Sequence, residues 1–369
     1  MPSRPEKRAC DACLRRTRLL ELLAPHVERA RHVRRLGQLL ALAEDELLAA
    51  VAGSRRASLE AALEHVDVEV MRSTAARLGL QVVCRHDDAY PARLLEAPDA
   101  PAVLHVAGDG EALPRGVAPA VAVVGARRAT PYGLEVARVL GRGLAAAGVP
   151  VVSGMALGID SAAHAGALEA GGPTIAVLAG GVDAPYPRSK AQLYRRILAT
   201  AGCCVVSEMP PGHVPFKWGF PARNRIIAGL ADITIVVEAA ERSGSLITAE
   251  MAQDLGRVVA AVPGAVTNPM ASGTNGLLRD GADLVRGAQD VLDALLGAGT
   301  ATVAAGPDPA ALAPPLRALL DRLGPRPATS AALLSLGDAA DAVMAGLAEL
   351  ELLGYARRVP GGAYVRMAG

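Results

Sequence analysis

Residues 121–133, Val-Ala-Val-Val-Gly-Ala-Arg-Arg-Ala-Thr-Pro-Tyr-Gly, decide the fold. Four apolar residues, three of them β-branched, stop at a glycine. Turn-forming residues then lead into Leu134–Ala147, where apolar positions recur at helical spacing. The same unit returns along the chain. Short apolar runs lie at Val149–Val152, Ile175–Leu178, Cys203–Ser207, Ile233–Glu238 and Val258–Val262, bounded by Gly, Pro or Asp, and Leu246–Leu255 reads as another helix. Strands alternating with helices predict a parallel sheet covered on both faces, a doubly wound Rossmann-like α/β fold. Ligands of such sheets lie beyond the carboxyl ends of the strands, so the glycine turns are where a site belongs.

Working outward, this pattern holds over residues 81–297. Residues 1–80 read as a helical domain, with Leu19, Leu22, Leu23, Leu36, Leu39, Leu40, Leu47 and Leu48 at helical spacing. Its first 35 residues hold ten Arg/Lys against four Asp/Glu, which is either a basic arm or the solvated face of an amphipathic helix. Residues 298–313 form a small-residue linker. Residues 314–369 read as two short helices, a longer one (Asp338–Leu353) and a hairpin turning at Pro360-Gly361-Gly362, which together predict a winged-helix module. Its long helix carries Asp338, Asp341, Glu349 and Glu351 and no Arg or Lys. That sign opposes duplex phosphates, so the module is expected to be structural or protein-contacting.

The 369 residues carry a formal net charge of +1, so a nucleic-acid partner would need a local patch rather than a global basic field. Neither a signal peptide nor an apolar run of about 18 residues is visible, so no membrane association is expected. Five cysteines, an odd and sparse set, fit a reducing cytoplasm. Cys10-x-x-Cys13 has metal-ligand spacing but no second pair nearby in sequence. Two ligands do not make a structural zinc site, unless a second subunit completes it. Cys203 and Cys204 are adjacent on a strand and should face opposite sides of the sheet. With no G-x-G-x-x-G, no phosphate-binding loop ending in Lys-Ser/Thr and no H-E-x-x-H, neither a cofactor nor a metal is expected.

Three strand ends pass through small residues into helices: Gly125-Ala126-Arg127, Ser153-Gly154…Gly158 and Ser243-Gly244-Ser245. Glycine lets backbone approach an anion, and a helix N-terminus offers free N–H groups with partial positive charge. Both phenylalanines and the only tryptophan fall in Phe216-Lys217-Trp218-Gly219-Phe220, followed at once by Pro221-Ala222-Arg223-Asn224-Arg225. Two readings compete. The rings and cations form a surface on which unpaired bases stack and phosphates pair, or the rings staple one edge of the fold and the arginines are solvated. Asp160 and His164, four apart on one helix, are an acid–base pair or, in the plainer reading, a capping Asp and a packed His. Asp183 and Tyr186 read as loop anchors, and Glu208 and Glu238 as carboxylates that orient arginines in the cleft.

The order of these motifs resembles the bacterial DNA-processing protein A family (DprA, also called Smf). The likeness runs from Val-Gly-x-Arg…Tyr-Gly (124–133) and Ser-Gly-x-Ala-x-Gly-Ile-Asp-x-x-Ala-His (153–164) through Gly-Gly-x-Asp-x-x-Tyr-Pro (180–187) and Phe-Pro-x-Arg-Asn-Arg-Ile-Ile-Ala-Gly-Leu (220–230). It closes on Ser-Gly-Ser-Leu-Ile-Thr-Ala (243–249) and Val-Pro-Gly (262–264). The resemblance implies a non-catalytic protein that binds and shields single-stranded DNA, loads RecA recombinase onto it during natural transformation, and forms a homodimer through the Rossmann-like domain. It further implies that Arg127 pairs with a phosphate and that Ser153, Gly154 and Gly158 offer donors. Lys217 would contact DNA, Phe220 would stack on a base, and Arg223, Asn224 and Arg225 would line the same groove. Lys190 is added for its charge near the Tyr186-Pro187 turn; Trp218 has no family counterpart and is a second stacking ring or an anchor. The competing class is a nucleoside monophosphate phosphoribohydrolase on a related fold. That enzyme's Pro-Gly-Gly-x-Gly-Thr-x-x-Glu loop is replaced here by Ser243-Gly244-Ser245-Leu246-Ile247-Thr248-Ala249-Glu250, with Thr248 and Glu250 misspaced.

Overall fold

A computed structural model of the chain describes residues 9–30, 36–116, 118–301, 312–324, 327–334, 339–353, 355–359 and 361–366. Much of the basic start, most of the expected linker, Asp338 and Pro360 lie outside them. The chain divides into two compact units, Met1–Val303 and Ala304–Gly369.

The first unit opens with helices α1 (Asp11–Ala30), α2 (Leu36–Leu40), α3 (Glu44–Val51), α4 (Arg56–Glu64) and α5 (Val68–Arg77). It continues through β1 (Gln81–Cys84), α6 (Ala92–Leu95), β2 (Val103–Gly108), β3 (Val121–Val124), α7 (Pro131–Ala146), β4 (Val151–Ser153), α8 (Ile159–Glu169) and β5 (Thr174–Val177). Then come α9 (Ala191–Ala199), β6 (Cys203–Ser207), α10 (Gly219–Leu230), β7 (Ile233–Val236), α11 (Gly244–Asp254), β8 (Val258–Ala261), α12 (Ser272–Arg279), β9 (Asp283–Leu284) and α13 (Ala288–Leu296). The strands form one sheet in the order β1-β2-β6-β5-β4-β3-β7-β8-β9. From β6 to β9 every pairing is parallel; β1 with β2, and β2 with β6, are antiparallel. The expected doubly wound sheet is present, widened at one edge by two antiparallel strands.

Alternation fixes the two faces of the sheet. Ala122, Val124, Val152 and Val236 join one apolar layer with Ile226 and Ile227 of α10 and Ala249 and Ala252 of α11. Val121, Val123, Val151 and Ile235 join the other, with Leu140 and Leu144 of α7 and Ala163 of α8. Cys204 and Cys203 fall on opposite faces, as their adjacency requires. The N-terminal helices bury Leu19, Leu23, Leu39 and Leu47 in a cluster that also takes in Met209, Trp218 and Ala222, so they close onto the segment that enters α10.

The second unit holds α14 (Pro314–Arg322), a single 3-10 turn (Ala331–Leu333), α15 (Ala340–Leu352) and a hairpin of β10 (Ala356–Arg358) with β11 (Tyr364–Arg366). The second of the two expected short helices is only that one turn. Leu319, Leu320, Val343, Leu347 and Leu350 form its core, and Asp341, Glu349 and Glu351 are exposed on α15.

Candidate nucleic-acid interface

The sheet reverses its winding at β3, which has β4 on one side and β7 on the other. The helices that follow β3 and β7 leave on opposite faces, because α7 packs with one apolar layer and α11 with the other. Their divergence opens a cleft of about 430 Å³ beyond the strand ends. Its lining includes Gly125 and Arg127 after β3, Asp160 of α8, Phe220, Arg223 and Asn224 of α10, and Arg242 with Ser243, Gly244 and Ser245 at the start of α11.

The three glycine turns have different fates. At the start of α7 the buried Glu238 carboxylate accepts from Thr130 N at 2.8 Å and from Thr130 Oγ1 at 2.5 Å, so the protein supplies that helix its own anion. At the Ser153–Gly158 turn, Asp160 Oδ2 accepts from Gly154 N at 3.1 Å. Burial pushes the Asp160 carboxyl up from its ordinary value, against the pull of Arg223. A Cβ on Gly154 would collide with the Arg223 guanidinium, and one on Gly158 (φ +81) with the carbonyl of Ala126. Gly125 is similarly confined by Ile159 and the Glu238 carbonyl. These glycines let the protein close on itself. Ser153 is fully buried and donates to Val123 O at 2.7 Å, so its expected place in the site is corrected: its hydroxyl is spent on the neighbouring strand. The third turn is open. A Cβ on Gly244 would meet nothing within 4 Å, and Ser243 caps the helix by accepting from Ser245 N at 3.4 Å while its hydroxyl lies 2.7 Å from that of the buried Ser245.

The aromatic–basic segment splits in two. Phe216, Lys217 and Tyr186 are exposed and Phe220 is half-buried. Arg127 Cζ sits 5.3 Å over the Phe220 ring, and the Tyr186 ring lies 5.3 Å from it on a tilt of 43°. No carboxylate among the described residues pairs with Arg127. Trp218 is buried and donates Nε1–H to Ala24 O of α1 at 2.8 Å, so it is an anchor and not a second stacking ring. Arg223 is buried, donates to Val177 O at 3.0 Å and lies 3.8 Å from Asp160, showing the cleft only an edge. Arg225 departs furthest from expectation. It is 3% exposed, with Nη2 donating to both oxygens of Glu208 at 2.7 and 2.6 Å and Nε lying 3.5 Å from Asp99. Burial alone would lower its pKa; the two carboxylates outweigh that and hold it up. The cause is helical phase: from Gly219 onward, positions 222, 223, 225, 226 and 227 face inward, and 220, 221 and 224 do not.

Several smaller readings resolve here. Asn224 is half-buried with Nδ2 at 3.4 Å from Gly244 O, tying α10 to the open turn. Lys190 is half-buried in the turn after Tyr186-Pro187, with its backbone N–H on Pro187 O. Asp183 is the loop anchor expected, accepting from Gly212 N at 2.9 Å, but Tyr186 turns its ring to Phe220 instead. Glu208 does orient an arginine, though away from the cleft; Glu238 is bonded to Thr130 and orients none among the described residues. His164 is a packed core histidine. Thr174 spends its one proton on Val151 O, so His164 Nδ1–H donates to Thr174 Oγ1 at 2.7 Å, and burial drives the imidazole pKa down to about 3. Sequence reasoning missed Arg242, whose only signal is its place directly before Ser243-Gly244-Ser245. It also missed that the fold brings Cys84 and His86 to Cys10 and Cys13, which corrects the two-ligand reading. Among the described residues no helix is long and apolar enough to cross a membrane.

Comparison with known proteins agrees with this geometry. The family model for DNA recombination-mediator protein A matches residues 81–296, and that for the DprA winged helix domain matches 303–362. The chain is 39% identical over 285 residues to Protein Smf of Escherichia coli, covering 75% of each. The X-ray structure of DNA processing protein A from Streptococcus pneumoniae superposes with a TM-score of 0.61 at 35% identity, over 77% of this chain and 96% of that one. DNA processing protein A from Helicobacter pylori, solved for its single-stranded DNA binding mode, superposes with a TM-score of 0.52 at 31% identity, over 59% of this chain and 95% of that one.

Proposed function

The chain belongs to the DNA recombination-mediator protein A family, and from that premise we propose that it binds single-stranded DNA in the switch-point cleft and delivers it to the RecA recombinase. One observation carries the site: Arg127, without a carboxylate partner among the described residues, rests on the Phe220 ring beside the open N-terminus of α11. A phosphate draws the guanidinium off the ring, and a base takes the ring face it leaves. The first turn of α11 and Arg242 receive a second phosphate, and the exposed Lys217 a third. Arg223 and Arg225 hold α10 in place from inside, and Gly125, Gly154 and Gly158 let the turns pack closely enough to form the cleft. Delivery to RecA and assembly of two copies through the sheet-bearing unit follow from the family likeness. No step in this role requires a catalytic residue.

Anisotropy titrations of a fluorescent oligothymidylate test the site. Arg127→Ala and Lys217→Ala should each weaken binding by ~1–2 kcal/mol whatever the base sequence, and each should lower the salt slope by about 0.7. Wild-type affinity in both variants places the strand elsewhere. The phosphoribohydrolase alternative is not favoured, since the matched family is one of recombination mediators. Incubation with adenosine monophosphate checks it: free adenine at enzymatic turnover would reverse the choice.

A further inference from the structure

Outside the cleft, four metal-ligating side chains from separate parts of the first unit converge. Cys10 precedes α1 and Cys13 lies in its first turn; Cys84 ends β1 and His86 follows in the next turn. Their three Sγ atoms and one ring nitrogen all lie within 4.8 Å of one another. Cys10 Sγ and Cys13 Sγ are each 3.4 Å from His86 Nδ1. A tetrahedron with Zn–S of about 2.3 Å and Zn–N of about 2.0 Å has S···N edges of about 3.5 Å. Nδ1 therefore stands where the fourth corner of such a site belongs.

Core packing accounts for only part of the group: Cys13 and Cys84 are buried in a small apolar cluster with Leu14 and Val103, but that does not explain the exposed His86 ring against them. Cys203 and Cys204 show what a packing cysteine looks like here: each is buried in a strand among aliphatic side chains. The remaining three cysteines, by contrast, all meet at one imidazole, and that ring is itself exposed. We infer that Cys10, Cys13, Cys84 and His86 bind one zinc ion in a Cys3His site. Three thiolates and one imidazole favour zinc over hard, oxygen-seeking cations, and ligand atoms this closely grouped enclose a single ion rather than a multi-iron cluster. All four positions are filled by protein, so the site is structural and leaves no place for a reacting water. It ties the start of α1 to the edge strand of the sheet. The same helix, further along, gives its Ala24 carbonyl to Trp218 at the entry to α10. The ion thus fastens the helical cap that packs against the cleft-forming helix.

The test uses the full chain, purified without a histidine tag or chelator, and elemental analysis by mass spectrometry. Wild type should carry close to one zinc per chain. After exchange it should bind cobalt with the visible d–d bands of a tetrahedral thiolate site. His86→Ala, at an exposed position that leaves the fold intact, should surrender zinc to a competing chelator at a concentration roughly tenfold lower or less. Cys84→Ser should purify with far less zinc, and His86→Cys should restore retention by making a four-thiolate site. A zinc-free wild-type chain that takes up no cobalt overturns the inference. So does a Cys10–Cys13 disulfide in freshly purified protein, or equal zinc retention in wild type and His86→Ala.

Discussion

Arg127 and Arg225 are the same side chain in two motifs about a hundred residues apart, and the structure gives them opposite work. Arg127 is exposed on an aromatic ring; Arg225 is sealed between Glu208 and Asp99. Removing Arg225 leaves two carboxylates in the interior without their counter-charge, a loss of about 3–5 kcal/mol. Arg225→Ala should therefore lower the urea midpoint sharply, while the molecules that remain folded bind oligothymidylate as before; a selective loss of affinity at full stability would return Arg225 to the interface. Phe220→Ala should show the reverse pattern. Affinity falls by ~1–3 kcal/mol, stability barely moves, and the salt slope is unchanged because stacking releases no counterions. An unaltered affinity would remove Phe220 from the binding surface. Sequence pattern could find both arginines but could not sort them. The sorting depends on the phase of α10 and on a glutamate at the end of β6, and neither is a local property of the motif.

At the scale of elements, α10 is the piece on which site and scaffold meet. Its inward face packs on the sheet, its outward face offers Phe220 and Asn224 to the cleft, and Trp218 at its cap fixes its entry against α1. Trp218→Ala should cost about 3–5 kcal/mol, through the lost ring volume and the lost bond from Nε1 to Ala24 O. Chemical denaturation measures it; a change under about 1 kcal/mol would mean the helical cap is held without this ring. The six strands from Val121 to Ala261 were legible in sequence to within a residue or two, because each βα repeat carries its own apolar run bounded by Gly, Pro or Asp. β1 and β2 were not. They pair antiparallel through a connection that holds only the four-residue α6, and β2 pairs with β6 about a hundred residues later, so no repeating signal announces them. The missed strand end at Cys84 is also why the sequence offered two metal-ligating side chains where the fold gathers four.

For the whole molecule, two buried histidines set an acid limit. Burial lowers His164 to about 3 and His105 to about 4, against an ordinary value of 6.5. The unfolded chain takes up protons below about pH 6.5 that the native state refuses, so their contribution is at its fullest above that pH and is lost as pH falls toward 4 and 3. The urea midpoint should drop on going from pH 7 to pH 5, and His164 and His105 imidazole resonances should stay at neutral positions over that range; titration of either near 6.5 would contradict the burial. The second unit makes a separate expectation. The lysine- and arginine-free α15 presents the wrong sign to phosphates, so a chain ending at Val303 should keep its affinity for oligothymidylate. The parallel sheet followed from periodicity. The sorting of the expected site residues did not, since Ser153, Gly154, Gly158 and Arg225 are spent on holding the turns and α10 together. The most direct test of the account compares wild type with the Arg127→Ala/Phe220→Ala double variant on single- and double-stranded oligonucleotides across a salt series. The expected result is preference of wild type for the single strand and loss of most of that binding in the double variant, with a shallower salt slope. Equal single-strand binding by the two proteins at every salt concentration would contradict it.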